Sequence, residues 1–150
     1  MIDLNIKAVH TLTKLFLSDF LKKDKGYILN VASIASFEPG PLMATYYATK
    51  SYVYNLTTAI NYEIKNTNVY VGCLNPGPVD TNFNKIAKAN NNLKSYSSDY
   101  VCRYALCKMF KKKTVIIPGT KTKLGYIATK ILPRNIILKY VYNVQKKKID

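Results

Sequence analysis

The chain has 150 residues, of which 48% are hydrophobic, and a formal net charge of +15 at pH 7. A chain of this length and composition can bury a core and form one globular domain, which excludes an intrinsically disordered protein. No apolar run approaches the ~20 residues that a membrane-spanning helix requires. The N-terminal residues, with Asp3 among them, are unlike a secretory signal peptide. We therefore expect a cytoplasmic protein.

The positive charge is concentrated in the last third of the chain. Residues 101–150 contain thirteen Lys and Arg against a single acid, Asp150, whereas residues 1–100 contain ten against seven. A basic segment of this kind suits nucleic acid, an anionic membrane or plain solvent exposure. No helix-turn-helix, zinc or RNA-recognition signature accompanies it, so we expect no nucleic-acid binding.

Cysteine and histidine usage excludes several kinds of catalytic site. The three cysteines, Cys73, Cys102 and Cys107, show no metal-ligand spacing, and we expect reduced core thiols. The single histidine, His10, cannot form a zinc site or a histidine-based triad alone. We expect it on a helix surface or in packing.

The first predicted elements are a helix and a buried strand. Apolar residues recur at three- and four-residue steps through residues 3–22, which predicts an amphipathic helix. Its apolar stripe consists of Leu4, Val9, Leu12, Leu15, Phe16 and Phe20. The apolar run YILNVA at residues 27–32 predicts a buried strand. A loop containing Pro39, Gly40 and Pro41 follows.

Helices and strands continue to alternate along the rest of the chain. In order, the predictions are a helix over 44–66, a strand over 68–74, a helix over 98–111 with Ser98 as N-cap, a strand over 114–117, and a helix over 124–145 that breaks at Pro133. The helix over 44–66 is expected to turn inward Ala44, Tyr47, Ala48, Val53, Leu56, Ala59, Ile60 and Ile64. Residues 82–96 are polar, rich in asparagine and without periodicity.

Ser33, Tyr46 and Lys50 are the candidate acid–base residues. Ser33 lies where the predicted strand ends, which is the edge at which ligands bind in open α/β sheets. Tyr46 and Lys50 are four residues apart, so they share one face of a helix. A tyrosine hydroxyl is a weak acid, with a pKa near ~10, and a nearby cation favours its phenolate. Lys50 can supply that cation, and Ser33 can hydrogen-bond a substrate oxygen beside the phenol.

This stretch resembles the catalytic region of the short-chain dehydrogenase/reductase family. The family pattern is a serine, twelve residues, a tyrosine, three residues and a lysine, and it matches Ser33, Tyr46 and Lys50. Tyr47 has Ser51 rather than a lysine at the same distance. The residues LNVAS around the serine and NPGPVDT at 75–81 extend the match.

The resemblance implies an NAD- or NADP-dependent oxidoreductase that interconverts a carbonyl and an alcohol. In the family's mechanism Ser33 would polarise the substrate carbonyl and Tyr46 would act as acid/base. Lys50 would support the tyrosine and hold the nicotinamide ribose. Asn5, in the run DLNIK, matches an asparagine that supports a proton-relaying water; otherwise it is a first-turn helix residue that satisfies backbone donors.

The segment over 75–81 is the second part of the implied cofactor site. By the same resemblance Tyr46 and Lys50 also contact the cofactor, Pro76 and Gly77 line the nicotinamide, and Val79 and Thr81 meet its carboxamide. The alternative for this segment is a plain strand-to-helix turn. Residues 82–96 match the place of the family's mobile substrate lid.

The family's glycine-rich pyrophosphate turn, Thr-Gly-x-x-x-Gly-x-Gly, and its Asn-Asn-Ala-Gly strand do not occur in this sequence. The resemblance therefore implies an α/β fold with a partial Rossmann-type, doubly wound parallel sheet flanked by helices, lacking the first βαβαβ half. We expect a catalytic core at 1–119 and a basic helical C-terminal extension at 120–150. Such a truncated, catalytically incomplete chain would expose an unpaired strand edge and an apolar helix flank.

Other functions stay open at this point. The chain could be a non-catalytic remnant that acts as an interaction module, or a basic binder of membranes or nucleic acid. Residues 130–150 combine apolar and basic positions, so they could contact a membrane surface weakly or cover the sheet. The resemblance also suggests a homodimer through the helices over 3–22 and 44–66.

Overall fold

The computed structural model describes residues 1–81 and 95–149, and in it helices surround a small parallel sheet. The helical elements are a π-helical turn (Asp3–Ala8) that continues into α1 (Val9–Lys22), a 3-10 turn (Ile34–Phe37), α2 (Ala44–Glu63), α3 (Ser98–Phe110), α4 (Thr120–Ile131) and α5 (Arg134–Ile149). The strands are β1 (Gly26–Val31), β2 (Val69–Leu74), β3 (Val79–Asp80), β4 (Tyr96–Ser97) and β5 (Val115–Ile116).

The main sheet has the order β1-β2-β5 and all its pairings are parallel. The strand β2 is buried along its whole length, which is typical of a central strand in a sheet covered on both faces. Within the described residues β1 pairs only with β2, so its other edge is open. The strands β3 and β4 form a separate parallel pair. The predicted α/β fold with a parallel sheet flanked by helices is confirmed.

Most predicted elements appear within a few residues of their expected bounds. The break at Pro133 is confirmed, because Leu132 adopts an extended backbone (φ −77°, ψ 143°) between α4 and α5. The N-cap prediction at Ser98 is wrong by one residue: the hydroxyl of Ser97 accepts a hydrogen bond from the Tyr100 amide at 3.3 Å. The predicted lid over 82–96 lies almost entirely outside the described residues.

The apolar stripe of the first helix is largely exposed. Four of its members are exposed, with exposed fractions of 52–72%: Leu4, Leu12, Leu15 and Phe16. The buried residue of α1 is Thr13, whose hydroxyl donates to the Asn30 side chain at 3.2 Å. Thr13 thus makes the buried contact of α1, while Leu4, Leu12 and Phe16 face the open edge of β1.

The inward face of α2 is also only partly as predicted. Tyr47, Val53 and Ile64 are buried, whereas Ala44, Ala48 and Ala59 are exposed. Thr49 and Thr57 are fully buried instead, because their hydroxyls bond to backbone carbonyls of the preceding turn at 2.8 and 2.7 Å.

Among the cysteines, only Cys73 is a core thiol, while Cys102 and Cys107 are exposed on α3. His10 lies on the helix surface, as expected, where its Nδ1 is 2.7 Å from the Tyr52 hydroxyl.

Candidate active site

The ends of β1 and β2 bring Ser33 beside the turn at Pro76. The Ala32 amide donates to the Leu74 carbonyl at 2.8 Å, and the Ile34 amide donates to the Pro76 carbonyl at 3.1 Å. These two bonds flank Ser33. The parallel direction of the strands places both turns at one edge of the sheet, where ligands bind in folds of this class.

A buried amide holds these two turns together. Asn75 is completely buried, and its side-chain oxygen accepts a hydrogen bond from the Ser36 hydroxyl at 2.9 Å. Its side-chain nitrogen donates to the Cys73 carbonyl at 3.1 Å. Sequence reasoning missed both Ser36 and Asn75. The signal was a polar residue directly after a buried strand, which must be hydrogen-bonded if it is buried.

Ser33 is half-buried and caps the 3-10 turn. Its hydroxyl oxygen accepts a hydrogen bond from the Ala35 amide at 3.2 Å. A serine hydroxyl that accepts one bond keeps its own proton for donation. The hydroxyl at the end of β1 can therefore donate to a substrate oxygen.

Lys50 lies between Tyr46 and the end of β1. Its Nζ donates to the Val31 carbonyl at 3.1 Å and is 5.9 Å from the centroid of the Tyr46 ring. Both side chains are half-buried. Burial lowers the pKa of Lys50, and interaction with Cys73 partly opposes this effect. The helical spacing and the bond to Val31 together fix a cationic group beside the phenol.

Asn5 is connected to Tyr46 through a threonine. The Asn5 side-chain nitrogen donates to the Thr49 hydroxyl at 3.1 Å, and that hydroxyl donates to the Tyr46 carbonyl at 2.8 Å. The Asn5 amide thus reaches across to α2 instead of satisfying donors of its own helix. It also belongs to a π-helical turn, a distortion that is frequent at functional sites. Thr49 was missed, although a threonine three residues after a helical tyrosine can bond back to its carbonyl.

The four predicted cofactor residues after β2 are placed in three different surroundings. Pro76 contacts the turn of Ser33 through the bond to Ile34. A Cβ on Gly77 would lie 2.9 Å from the Thr122 hydroxyl, so a larger residue here would force the Thr122 side chain of α4 to shift. Val79 pairs with Tyr96 in the second sheet, and Thr81 is exposed next to the undescribed segment.

Two spaces adjoin this arrangement. A groove of about 390 Å³ runs along the open edge of β1 and is lined by α1 together with Asn5, Asn30, Val31 and Lys50. A larger cleft of about 1050 Å³ lies between the 3-10 turn, α2, α4 and α5. In this cleft Gln145 of α5 donates to the Tyr47 hydroxyl at 2.7 Å, and Ile137 and Val141 pack against Tyr47. The helix α5 therefore covers α2, not the sheet itself.

Glu38 lines the larger cleft, and burial raises the pKa of its carboxyl. The folded chain then binds this proton more tightly than the unfolded chain, so stability falls as pH rises above the ordinary value of 4.5. We expect Glu38→Gln to raise the thermal unfolding midpoint at about pH 8 and to leave it unchanged at about pH 3.5, where both states are protonated. Calorimetric scans at the two pH values measure the effect.

The exposed Glu63 on α2 provides the matched control for this prediction. Glu63→Gln removes the same charge from the same region of the chain without relieving burial. A rise in midpoint that is equal for Glu63→Gln and Glu38→Gln, or equal at both pH values, would contradict the role assigned to burial.

A parallel sheet flanked by helices, with Ser33 at the end of β1 and Lys50 beside Tyr46 on α2, is the arrangement of a Rossmann-type fold. The chain belongs to the short-chain dehydrogenase family, whose model, described as short chain dehydrogenase, matches residues 1–92.

Curated relatives agree with this assignment. An uncharacterized oxidoreductase from Staphylococcus epidermidis is 40% identical over 81 residues, which are 54% of this chain and 35% of that protein. Very-long-chain 3-oxoacyl-CoA reductase-B of Danio rerio is 27% identical over 141 residues, which are 94% of this chain and 45% of that protein. The chain thus spans between a third and a half of the length of these relatives.

Solved structures show the same fold. The chain matches a 7β-hydroxysteroid dehydrogenase with a TM-score of 0.82 at 20% identity, over 94% of this chain and 56% of the other. It matches a short-chain dehydrogenase from Sphingobium yanoikuyae, determined in complex with NADPH, with a TM-score of 0.77 at 26% identity, over 87% and 52% of the two chains.

Within residues 1–81 and 95–149, no helix has the length and apolar character needed to cross a bilayer.

Proposed function

We propose that this chain carries the catalytic half of an NAD(P)-dependent oxidoreductase that interconverts a carbonyl and an alcohol, with Tyr46 as the acid/base. One observation carries the proposal. The Lys50 ammonium is fixed by the Val31 carbonyl at 3.1 Å and lies 5.9 Å from the Tyr46 ring centroid, next to the strand end that bears Ser33. The membership in the short-chain dehydrogenase family supports it.

In this proposal Ser33, Tyr46 and Lys50 each have a separate role in acid–base catalysis. In the direction of reduction, Ser33 donates a hydrogen bond to the carbonyl oxygen, and the Tyr46 hydroxyl transfers its proton to that oxygen. The Lys50 ammonium stabilises the phenolate that remains. The link from Asn5 through Thr49 holds this turn of α2 in position. When bound, a reduced nicotinamide supplies the hydride.

Within this chain, Lys50 is the group placed to hold the nicotinamide ribose of a cofactor. Lys50 and Asn5 line the groove of about 390 Å³ beside β1, whose other walls are mainly apolar and include Leu4, Leu12 and Phe16. A pyrophosphate requires a glycine-rich turn at a helix N-terminus, and this sequence contains none. We propose that a nucleotide-binding segment that carries such a glycine-rich turn pairs along the open edge of β1 and completes the site.

The experiment joins this chain, at its N-terminus, to the nucleotide-binding half of a relative and supplies NADPH that carries deuterium at the transferred position. We expect ketones or aldehydes to be reduced to alcohols with deuterium at the former carbonyl carbon. Cofactor binding without any reduction across a broad carbonyl panel would contradict the proposal. That result would favour a non-catalytic interaction module.

A homodimer through α1 and α2 is proposed from the exposed side chains of α1. The π-helical turn that leads into α1 contacts α2 through Asn5 and Thr49, and α1 leaves Leu15 60% exposed. We expect the chain to sediment as a dimer and Leu15→Glu to sediment as a monomer, because a buried carboxylate opposes association. The control is Leu106→Glu on α3, where Leu106 is 48% exposed. Equal behaviour of the two variants would contradict this interface.

A second candidate function is weak binding to anionic membrane surfaces through residues 130–150. Ile131, Ile136 and Tyr140 are 75%, 53% and 68% exposed, and no acidic residue occurs between 120 and 149. Exposed apolar side chains among basic ones are typical of a helix that lies on a membrane.

Co-sedimentation with vesicles tests the membrane candidate. We expect binding to vesicles that contain phosphatidylserine, weakening as salt is added, and little binding to phosphatidylcholine alone. Lys139→Glu on α5 should weaken this binding, whereas Lys14→Glu on α1 should leave it unchanged. Equal binding to both kinds of vesicle, or none, would contradict the candidate.

A further inference from the structure

The cleft of about 1050 Å³ begins next to the candidate catalytic residues. Its lining includes Ile34 and Tyr47, which directly follow Ser33 and Tyr46 in the chain. A substrate whose carbonyl lies at Ser33 and Tyr46 therefore has this cleft beside it. The volume is at the upper end of the usual range for small-molecule sites, roughly 300–1,000 Å³. The cleft can accept much more than a carbonyl group.

The walls of the cleft are mainly apolar. On α4 and α5 the apolar part of the lining comprises Ala128, Leu132, Ile136, Ile137, Val141 and Val144, and the polar Thr122, Thr129 and Gln145 lie among them. On the opposite side stands Phe37, whose ring centroid is 4.4 Å from that of Tyr126 and 5.0 Å from that of Tyr54. Aromatic packing on two sides fixes this wall, so the apolar surface is preformed.

Charged groups are scarce in the lining. Among the described residues that line the cleft, Glu38 is the one carboxylate and Lys121 the one ammonium. Burial raises the pKa of Glu38, which favours its neutral form. Lys121 is exposed. Such a lining favours a neutral, apolar ligand over a charged one.

The apolar surface continues past the mouth of the cleft. Leu124 and Tyr140 both line the cleft, yet they are 65% and 68% exposed. An occupant that extends outward from the cleft would cover these side chains as well. The space therefore suits a ligand that is long and apolar.

We propose that the cleft binds the hydrocarbon chain of a long-chain aliphatic ketone or aldehyde and that chain length determines substrate preference. The placement of the carbonyl rests on the proposed function, while the binding of the chain rests on the cleft alone. Each methylene that moves from water into the cleft strengthens binding by about fourfold. Affinity then rises with chain length until the cleft and its mouth are filled.

The test measures binding of a homologous series of linear methyl ketones to the chain as it stands, by calorimetric titration. We expect the dissociation constant to fall by about fourfold per added methylene and then to reach a plateau. Affinity that is independent of chain length would overturn the proposal. Tighter binding of a fused-ring ketone than of the aliphatic ketone with the same carbon number would overturn it too.

Two variants place the binding in this cleft. Ala128→Trp fills the cleft and should move the plateau to shorter ketones, whereas Ala59→Trp adds the same ring at an exposed position of α2. Leu132→Lys places a charge in the lining and should weaken binding of the longest ketone by at least tenfold, with Leu106→Lys on α3 as control. Circular dichroism verifies that each variant is folded. Equal effects of a cleft variant and its control would overturn the assignment.

The outcomes for the cleft and for the proposed function are separable, because binding requires no turnover. If the isolated chain showed the chain-length dependence while the joined protein never reduced a ketone, the cleft assignment would stand and the catalytic one would be refuted. Turnover by the joined protein, with binding that does not depend on chain length, would refute the cleft assignment and leave the catalytic one standing.

Discussion

Replacing Tyr46 with phenylalanine is expected to lower carbonyl reduction by roughly 10²–10⁴-fold, the usual contribution of a positioned acid or base. The variant keeps the ring and removes the hydroxyl that transfers the proton. The Lys50 ammonium and the link from Asn5 through Thr49 do not depend on that hydroxyl, since they involve the Val31 and Tyr46 backbone carbonyls. The measurement is turnover of the chain joined to a nucleotide-binding half, under saturating NADPH.

Tyr62→Phe is the matched control for this experiment. Tyr62 lies on the same helix and is 69% exposed, so loss of its hydroxyl should leave turnover unchanged. Affinity for NADPH should be the same in both variants. If Tyr46→Phe retained near-normal turnover, Tyr46 could not be the acid/base.

Replacing Tyr70 with alanine is expected to destabilise the chain by about 3–5 kcal/mol. Tyr70 is 2% exposed, and its ring packs in the core between β2 and α3, against Val101, Ala105 and Met109. Its hydroxyl donates to the Lys113 carbonyl at 2.7 Å. Alanine would leave a cavity and an unpaired carbonyl. The measurement is urea unfolding followed by far-ultraviolet circular dichroism.

The graded control is Tyr70→Phe, which keeps the ring and removes only the hydrogen bond. We expect it to cost about 1 kcal/mol, the typical net contribution of one such bond. Urea unfolding of the unmodified chain also shows whether residues 1–150 fold cooperatively without a second half. A loss below about 1 kcal/mol in Tyr70→Ala would mean that β2 and α3 do not form the stable core described above.

The positions of the candidate residues in the fold were predictable from the sequence because they follow local rules. The spacing of Tyr46 and Lys50 places them on one helix face, and the position of Ser33 after an apolar run places it at a strand end. The structure brings Lys50 to Val31 and Asn5 to Thr49. The catalytic and cofactor-binding roles of these residues stay predictions.

What the sequence could not reveal depends on packing between distant elements. The first helix has a regular apolar stripe, yet Thr13 makes its buried contact because Asn30, on a neighbouring strand, offers a hydrogen-bond partner. Periodicity identifies the apolar face but not the element that covers it. Likewise, the cleft is formed by α4 and α5 folding back over Tyr47, a contact 98 residues apart in sequence.

The proposal places the catalytic groups on this chain and the pyrophosphate site on another segment. Titration of the chain with NADPH tests it most directly. We expect the isolated chain to bind NADPH with a dissociation constant weaker than about 1 mM, because no glycine-rich turn is available to bind the phosphates. Joining the nucleotide-binding half should restore tight binding. Micromolar binding of NADPH by the isolated chain would contradict this account.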